Sequence, residues 1–336
     1  MKLVTFAVSD GTQHVGALID DGSTIAILAP GETAMDGRAS SFYTDMPAFL
    51  NGGPAARERA QAVLEFITRK RPQAATIPLQ SVTLLAPVPI PASIRDCMSF
   101  EQHIINAIRV VGFKRLAFLD EWVENVFGRK YSLAYLLNRT WYDRPIYYKG
   151  NCRSVIGTNA DVRIPPYTKK FDYELEFGIY IGMQGVNIPR EKARDYIGGY
   201  TIFNDFSARD IQLKEQGGRL GPTKGKDFDT GNAMGPYLVT PDEIPDPYQL
   251  TMTARINGEE WSRGTSADMH YKFEDLIAYI SQSETLYPGD FIGSGTCSGD
   301  GCRGCGLELN RFLKPGDIME LEVQGLGVLR NRIVSS

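Results

Sequence analysis

Residues 171–182, FDYELEFGIYIG, decide how the rest of the chain is read. Large apolar side chains at Phe171, Tyr173, Leu175, Phe177, Ile179 and Ile181 alternate with Asp172, Glu174, Glu176 and Gly178, the period-two signature of a strand with one face in a core. The other face is acidic. Glu174 and Glu176 project to the same side, with about 6.5–7 Å between their Cα atoms, and no basic residue within the strand neutralises them. Such a face either looks into water, where like charges repel weakly, or lines a pocket where a divalent cation holds the carboxylates together.

Composition narrows the classes of protein to be considered. A chain of 336 residues can bury a substantial core, and 43% hydrophobic with 23% charged residues is the make-up of an ordinary globular protein. A formal net charge of −4 supplies no basic face, which argues against nucleic acid or anionic membrane as partners. The opening MKLVTFAVSDG lacks the apolar run of a secretory signal and no stretch is long enough to span a membrane, so a cytoplasmic location is expected. Five cysteines, an odd number without framework spacing, read as reduced thiols. The Cys302–Cys305 pair has no second pair beside it and reads as part of a glycine-rich loop rather than a zinc site.

Outward from the acidic strand, residues 1–80 predict a small β-rich domain: an antiparallel meander with DG turns, then a helix over 56–70. A second domain is expected over 85–336. Asp96 is placed on a loop before a helix that carries His103, seven residues on. Residues 104–147 are expected to form a helical lid or insertion, in which Trp122, Phe127, Tyr131, Tyr135 and Trp141 pack rather than bind ligand. YTIFND predicts a short strand that ends in Asn204 and Asp205, followed by a helix capped by Ser207 with Arg209 and Gln212 on one face. Lys224 and Lys226 follow on a glycine-punctuated loop. Asn257 and Gly258 mark a hairpin, FEDLIAYISQS an amphipathic helix, and the last segments alternate strands and turns. His270 is a weaker candidate and reads as a packing group or one that supports a site residue from behind.

RDCMSFEQH, YELEFGIYIG, YIGGYTIFNDFSARDIQ, GPTKGKDFDT, PGDFIGSGT and GLELN occur in this order, and together they resemble the fumarylacetoacetate hydrolase family over about residues 85–330. The resemblance implies a mainly β, α+β fold: a mixed β-sandwich or β-roll catalytic domain behind a small β-rich N-terminal domain, commonly as a homodimer. It implies that Asp96, Glu174, Glu176 and Asp205 hold Mg2+ or Ca2+, with Mn2+ also admissible. Hard cations favour oxygen ligands, and carboxylates gathered without one would repel. His103 matches the general base, Glu308 the carboxylate that orients it, and Arg209, Gln212 and Lys226 the groups that stabilise an oxyanion. Tyr148 and Thr296 match positions that contact substrate.

The activity so implied is hydrolytic cleavage of a carbon–carbon bond in a 1,3-diketone or diketo acid, fumarylacetoacetate- or acylpyruvate-like, by water that His103 activates and with an enolate as leaving group. Met98 stands where fumarylacetoacetate-cleaving members carry a substrate-binding tyrosine, which leaves the substrate open. Smaller relatives with the same carboxylates decarboxylate, isomerise or dehydrate 2-oxo acids, the alternative reading. The Asp96-to-His103 spacing and Glu308 favour the hydrolase layout.

Overall fold

The computed structural model describes residues 1–336 except Lys114, Arg219 and Asp300. In it the decisive stretch becomes two strands instead of one. Phe171–Asp172 pairs with Ser207–Ala208 in a two-stranded ribbon, while Glu176–Ile181 runs through the large sheet. The break falls at the acidic residues because other partners claim the backbone there: the Glu174 N–H donates to the Asn204 side chain and the Leu175 N–H to the Gly304 carbonyl. The acidic face does not meet water. Asp172, Glu174 and Glu176 are 0%, 5% and 0% exposed, which excludes the solvated alternative.

Hydrogen bonding orders the large sheet as Thr76–Pro78, Thr24–Ile27, Gln13–Ile19, Lys2–Ala7, Asn232–Val239, Ile197–Asp205, Glu176–Ile181, Phe291–Gly293, Ile94–Cys97 and Tyr147–Lys149. The N-terminal meander is thus joined edge to edge to the central strands, with Lys2 opposite Val239 and Leu3 opposite Leu238. A five-stranded sheet, ordered Glu259–Thr265, Thr251–Ile256, Ile318–Val323, Gly327–Val334 and Asp161–Arg163, packs on one face. Phe177, Ile179 and Ile181 share a core with Met252, Ala254 and Leu321 of this second sheet. Tyr180 points the other way and joins Phe203, Phe291, Phe49 and Val63 in the core under the N-terminal helices. The α+β architecture with a mixed β-sandwich is as expected, and alternation along one strand feeds both cores. Gly178 makes room for the Phe291 ring of the adjacent strand, since a Cβ there would run into it.

Local details differ from the sequence reading. Asp96 lies on the strand Ile94–Cys97, not on a loop, because that segment pairs in parallel with Phe291–Gly293. Ser207 belongs to the ribbon and does not cap the helix Arg209–Gln216; its hydroxyl donates to the Asp205 carbonyl. The helix Glu101–Gly112 carries His103 in its first turn, and three more follow: Ala117–Phe127, Leu133–Leu137 and Arg139–Asp143. Trp141 is buried and Tyr135 lies 4.3 Å from Tyr142, centroid to centroid, but Trp122, Phe127 and Tyr131 are 56%, 59% and 68% exposed. Trp122 packs edge-on against Phe127, with 5.8 Å between ring centroids, on the outer surface of this segment. Asp120 and Glu124 instead turn toward Arg109 and Arg129, so the apolar side of Ala117–Phe127 faces outward. Among the described residues no helix is long and apolar enough to cross a membrane.

Candidate active site

Four segments of the large sheet and its connections bring the acidic residues together. Asp96 comes from Ile94–Cys97, Asp205 from the end of Ile197–Asp205, Glu176 from the start of Glu176–Ile181, and Glu174 from the break before it. Oxygens of Asp96, Glu174 and Asp205 lie within 4.8 Å of one another, and all three residues are buried. Glu176 falls outside that trio. Its Oε2 accepts from the Gly295 N–H at 3.1 Å and its Oε1 from Thr296 Oγ1 at 3.4 Å.

Burial penalises the charged forms here. Burial first, and then Asp205, push the Asp96 carboxyl well above the ordinary range; burial and then Asp96 do the same to Glu176. Burial lifts Asp205 to about 6, against the opposing pull of Lys226. Burial also works against ionisation of Glu174, but Arg209 and Lys226 outweigh it and hold this carboxyl low. Five buried carboxylates, with Asp172 included, thus face the two buried cations Arg209 and Lys226.

That imbalance fits a hard divalent cation. Among the described residues, Oδ1 of Asp96 and Oδ1 of Asp205 are buried and find no hydrogen-bond partner, and an all-oxygen donor set is what Mg2+, Ca2+ and Mn2+ prefer. The cluster can therefore accommodate a metal ion. Gly293 contributes by omission, since a Cβ on it would collide with Asp96 Oδ1.

The groups expected to stabilise an oxyanion are drawn to the carboxylates. Arg209 donates through Nε to Asp172 (2.7 Å), through Nη2 to Glu174 (2.7 Å) and through Nη1 to Gln212 (2.9 Å). Lys226 Nζ reaches Glu174 Oε2 and Asp205 Oδ2, each at 2.5 Å, and the Asp205 carbonyl at 3.2 Å. The hydroxyls expected to meet substrate behave alike: Tyr148 Oη donates to Asp205 at 2.6 Å and Thr296 Oγ1 to Glu174 at 3.0 Å. Met98 is 40% exposed, and its carbonyl accepts from Trp141 Nε1 at 2.5 Å.

His103 and Glu308 meet across 205 residues of chain, with Nδ1 and Oε1 2.6 Å apart. Glu308 sits in the short helix Gly306–Leu309, whose start is pinned by Asp172 through the Gly306 and Leu307 N–H groups. Ser298 Oγ (2.8 Å) and Asn106 Nδ2 (2.6 Å) also donate to Glu308, and Cys305 Sγ lies 3.6 Å from it. The pair adjoins the carboxylates: Glu174 bridges to Cys305, and Leu175 accepts from the Cys297 N–H between Thr296 and Ser298. Sequence reasoning passed over Asp172, Asn106 and Ser298 as site residues. Asn106 was within reach, since it stands three positions after His103 on a helix. His270 packs against Trp141 and Tyr271, as expected.

A sandwich of this topology with a carboxylate cluster and a His–Glu pair defines the class, and the chain belongs to the fumarylacetoacetate hydrolase family. Residues 133–334 match the family model described as fumarylacetoacetate (FAA) hydrolase C-terminal. Among relatives, the mitochondrial oxaloacetate tautomerase fahd2 of Xenopus laevis is 31% identical over 99% of this chain and 90% of its own length. The human mitochondrial oxaloacetate tautomerase FAHD2A is 38% identical over 56% of this chain, a match that spans 59% of the human protein. The fumarylacetoacetate hydrolase of Exiguobacterium antarcticum, at 22% identity, superimposes with a TM-score of 0.72 over the whole of both chains, a likeness of fold. The cytoplasmic location expected from the sequence does not stand, because the frog and human relatives are mitochondrial proteins.

Proposed function

We propose that this protein is a divalent-metal-dependent tautomerase or isomerase of a small 2-oxo dicarboxylic acid, oxaloacetate being the first substrate to test. Asp96, Glu174 and Asp205, with Glu176 beside them, are the residues that would hold Mg2+, Mn2+ or Ca2+. When bound, such an ion supplies positive charge against which a 2-oxo acid can set its carboxylate and carbonyl oxygens. His103 takes a proton from the carbon next to the carbonyl, and Glu308, hydrogen-bonded at Nδ1, stabilises the imidazolium that forms. The proton returns to the carbonyl oxygen, so no bond between heavy atoms breaks. The helical segment 104–147 serves as the lid and 1–80 as an accessory module.

The observation that carries this reading is the commitment of Arg209 and Lys226. Lys226 Nζ has three oxygens of Glu174 and Asp205 within 3.2 Å, and each of the three nitrogens of Arg209 has a protein acceptor. Hydrolysis through a tetrahedral intermediate needs donors aimed at a new oxyanion, whereas proton transfer needs only an acid–base group beside the substrate. The names of the frog and human relatives point the same way, so isomerisation ranks ahead of the C–C hydrolysis that the resemblance first implied.

The test follows enol oxaloacetate by its ultraviolet absorbance in the presence of Mg2+, and acylpyruvates incubated in 18O water. Accelerated ketonisation that EDTA abolishes, with no labelled carboxylate from the acylpyruvates, is the expected result. Rapid appearance of labelled carboxylate without tautomerase activity would overturn it in favour of the hydrolase.

A further inference from the structure

Glu308 is gripped at both oxygens. Oε1 is shared by His103 and Ser298, and Oε2 accepts from Asn106 Nδ2 at 2.6 Å. Asn106 and His103 lie three residues apart on the helix Glu101–Gly112, hence on one face, so a single helix holds the carboxylate at two points. With Oε2 tied to the amide, the carboxylate cannot rotate without breaking that bond, and Oε1 stays aimed at the imidazole.

The chain of hydrogen bonds continues outward. Gln102 Nε2 donates to Asn106 Oδ1 at 2.8 Å, and Arg129 Nη2 donates to Gln102 Oε1 at 2.9 Å. Arg129 is anchored in turn by Glu101 through Nη1 and by Glu124 of Ala117–Phe127 through Nε, both at 2.7 Å. A guanidinium can only donate and an ionised carboxylate can only accept, so the two ends dictate how both amides between them must point. Gln102, Asn106 and Arg129 are half-buried and each has a hydrogen-bond partner, and a satisfied chain of this kind favours one arrangement.

We propose that Asn106 is a positioning residue for the His103–Glu308 pair, and that the Arg129–Gln102 extension makes the alignment of that pair depend on the docking of the helical segment. The inference leans on the tautomerase reading only where turnover is measured. The link runs through groups that touch neither the metal cluster nor the reacting carbon, so its loss should leave both binding functions in place. The effect should lie in kcat alone, as for an interaction that matters only in the transition state.

Nuclear magnetic resonance of 15N-histidine-labelled full-length protein reports the His103 Nδ1–H proton directly, without substrate. Asn106→Ala should displace or broaden that resonance and lower kcat about ten- to a hundredfold, the range seen when a partner that orients a working side chain is removed, with KM and Mg2+ affinity unchanged. Gln102→Met, which keeps shape and leaves Asn106 in place, should give a smaller change of the same kind and guards against loss of folding in the first variant. An unmoved resonance in both variants, or a rise in KM with kcat intact, would overturn the proposal. If the unaltered protein fails to turn over oxaloacetate, the assigned function falls, and the resonance comparison still decides the role of Asn106.

Discussion

Nζ of Lys226 lies 2.5 Å from Oδ2 of Asp205, while Oδ1 of the same carboxylate is buried with no partner among the described residues. One oxygen of the carboxylate is met by the ammonium, and the group as a whole offers an oxygen within 4.8 Å of oxygens of Asp96 and Glu174. Titration calorimetry with Mg2+ or Mn2+ should therefore show one site per chain, and Asp205→Asn should weaken it strongly. At a hundred times its Kd the ion should stabilise the fold by about 2.7 kcal/mol, visible as a rise in Tm. Absence of metal binding in the unaltered protein would remove the basis for the function proposed here.

The same cluster sets a pH dependence for the metal-free protein. A carboxyl whose pKa is higher in the folded than in the unfolded state supports the fold while protonated, and that support is lost as pH rises from the unfolded value through the folded one. Asp205, raised by burial from 3.8 to about 6, therefore makes the metal-free protein less stable as pH climbs from about 4 to about 6. Asp96 and Glu176, raised further, extend the loss upward. Glu174 has the opposite sign, and its contribution disappears only in strong acid. Denaturant titrations in EDTA across this range should show falling stability, flattened by Mg2+; a metal-free profile that rises instead would contradict the electrostatics.

His103→Ala should reduce turnover by about 10² to 10⁴, the usual worth of a positioned acid–base group, with Mg2+ affinity preserved. Asp96→Ala should lose both. Calorimetry alongside rate measurements separates the two, and an active His103 variant would vacate the assigned base.

Arg209→Met removes a cationic partner shared by two buried carboxylates, Asp172 and Glu174. Breaking a buried pair from one side costs about 3–5 kcal/mol, so equilibrium unfolding should shift by that order. Because Asp172 also holds the Gly306 and Leu307 N–H groups ahead of Glu308, the variant should also lose activity at temperatures where it remains folded.

Much of this was legible along the chain. Alternation over 171–182 correctly marked a strand feeding a core, and the ordered motifs named the family, because hydrophobic period and short-range spacing are local properties. The break at Glu174 was not legible, since it arises from Asn204 and Gly304, far away in sequence. The orientation of the helix Ala117–Phe127 was not legible either: which of its sides turns inward depended on Arg109 and Arg129 meeting Asp120 and Glu124.

The sequence by itself determined the sheet-forming pattern and the inventory of carboxylates, because residue type and periodicity are written into the chain, while the resemblance of its ordered motifs is what implied His103 and Glu308 as a pair. Only the tertiary structure decided that Asp96, Glu174 and Asp205 share one buried space, that Arg209 and Lys226 are taken up by carboxylates, and that Asn106 grips Glu308. Those relations join residues up to 202 positions apart, and the packing of the sheet and its connecting loops alone brings them within reach of one another.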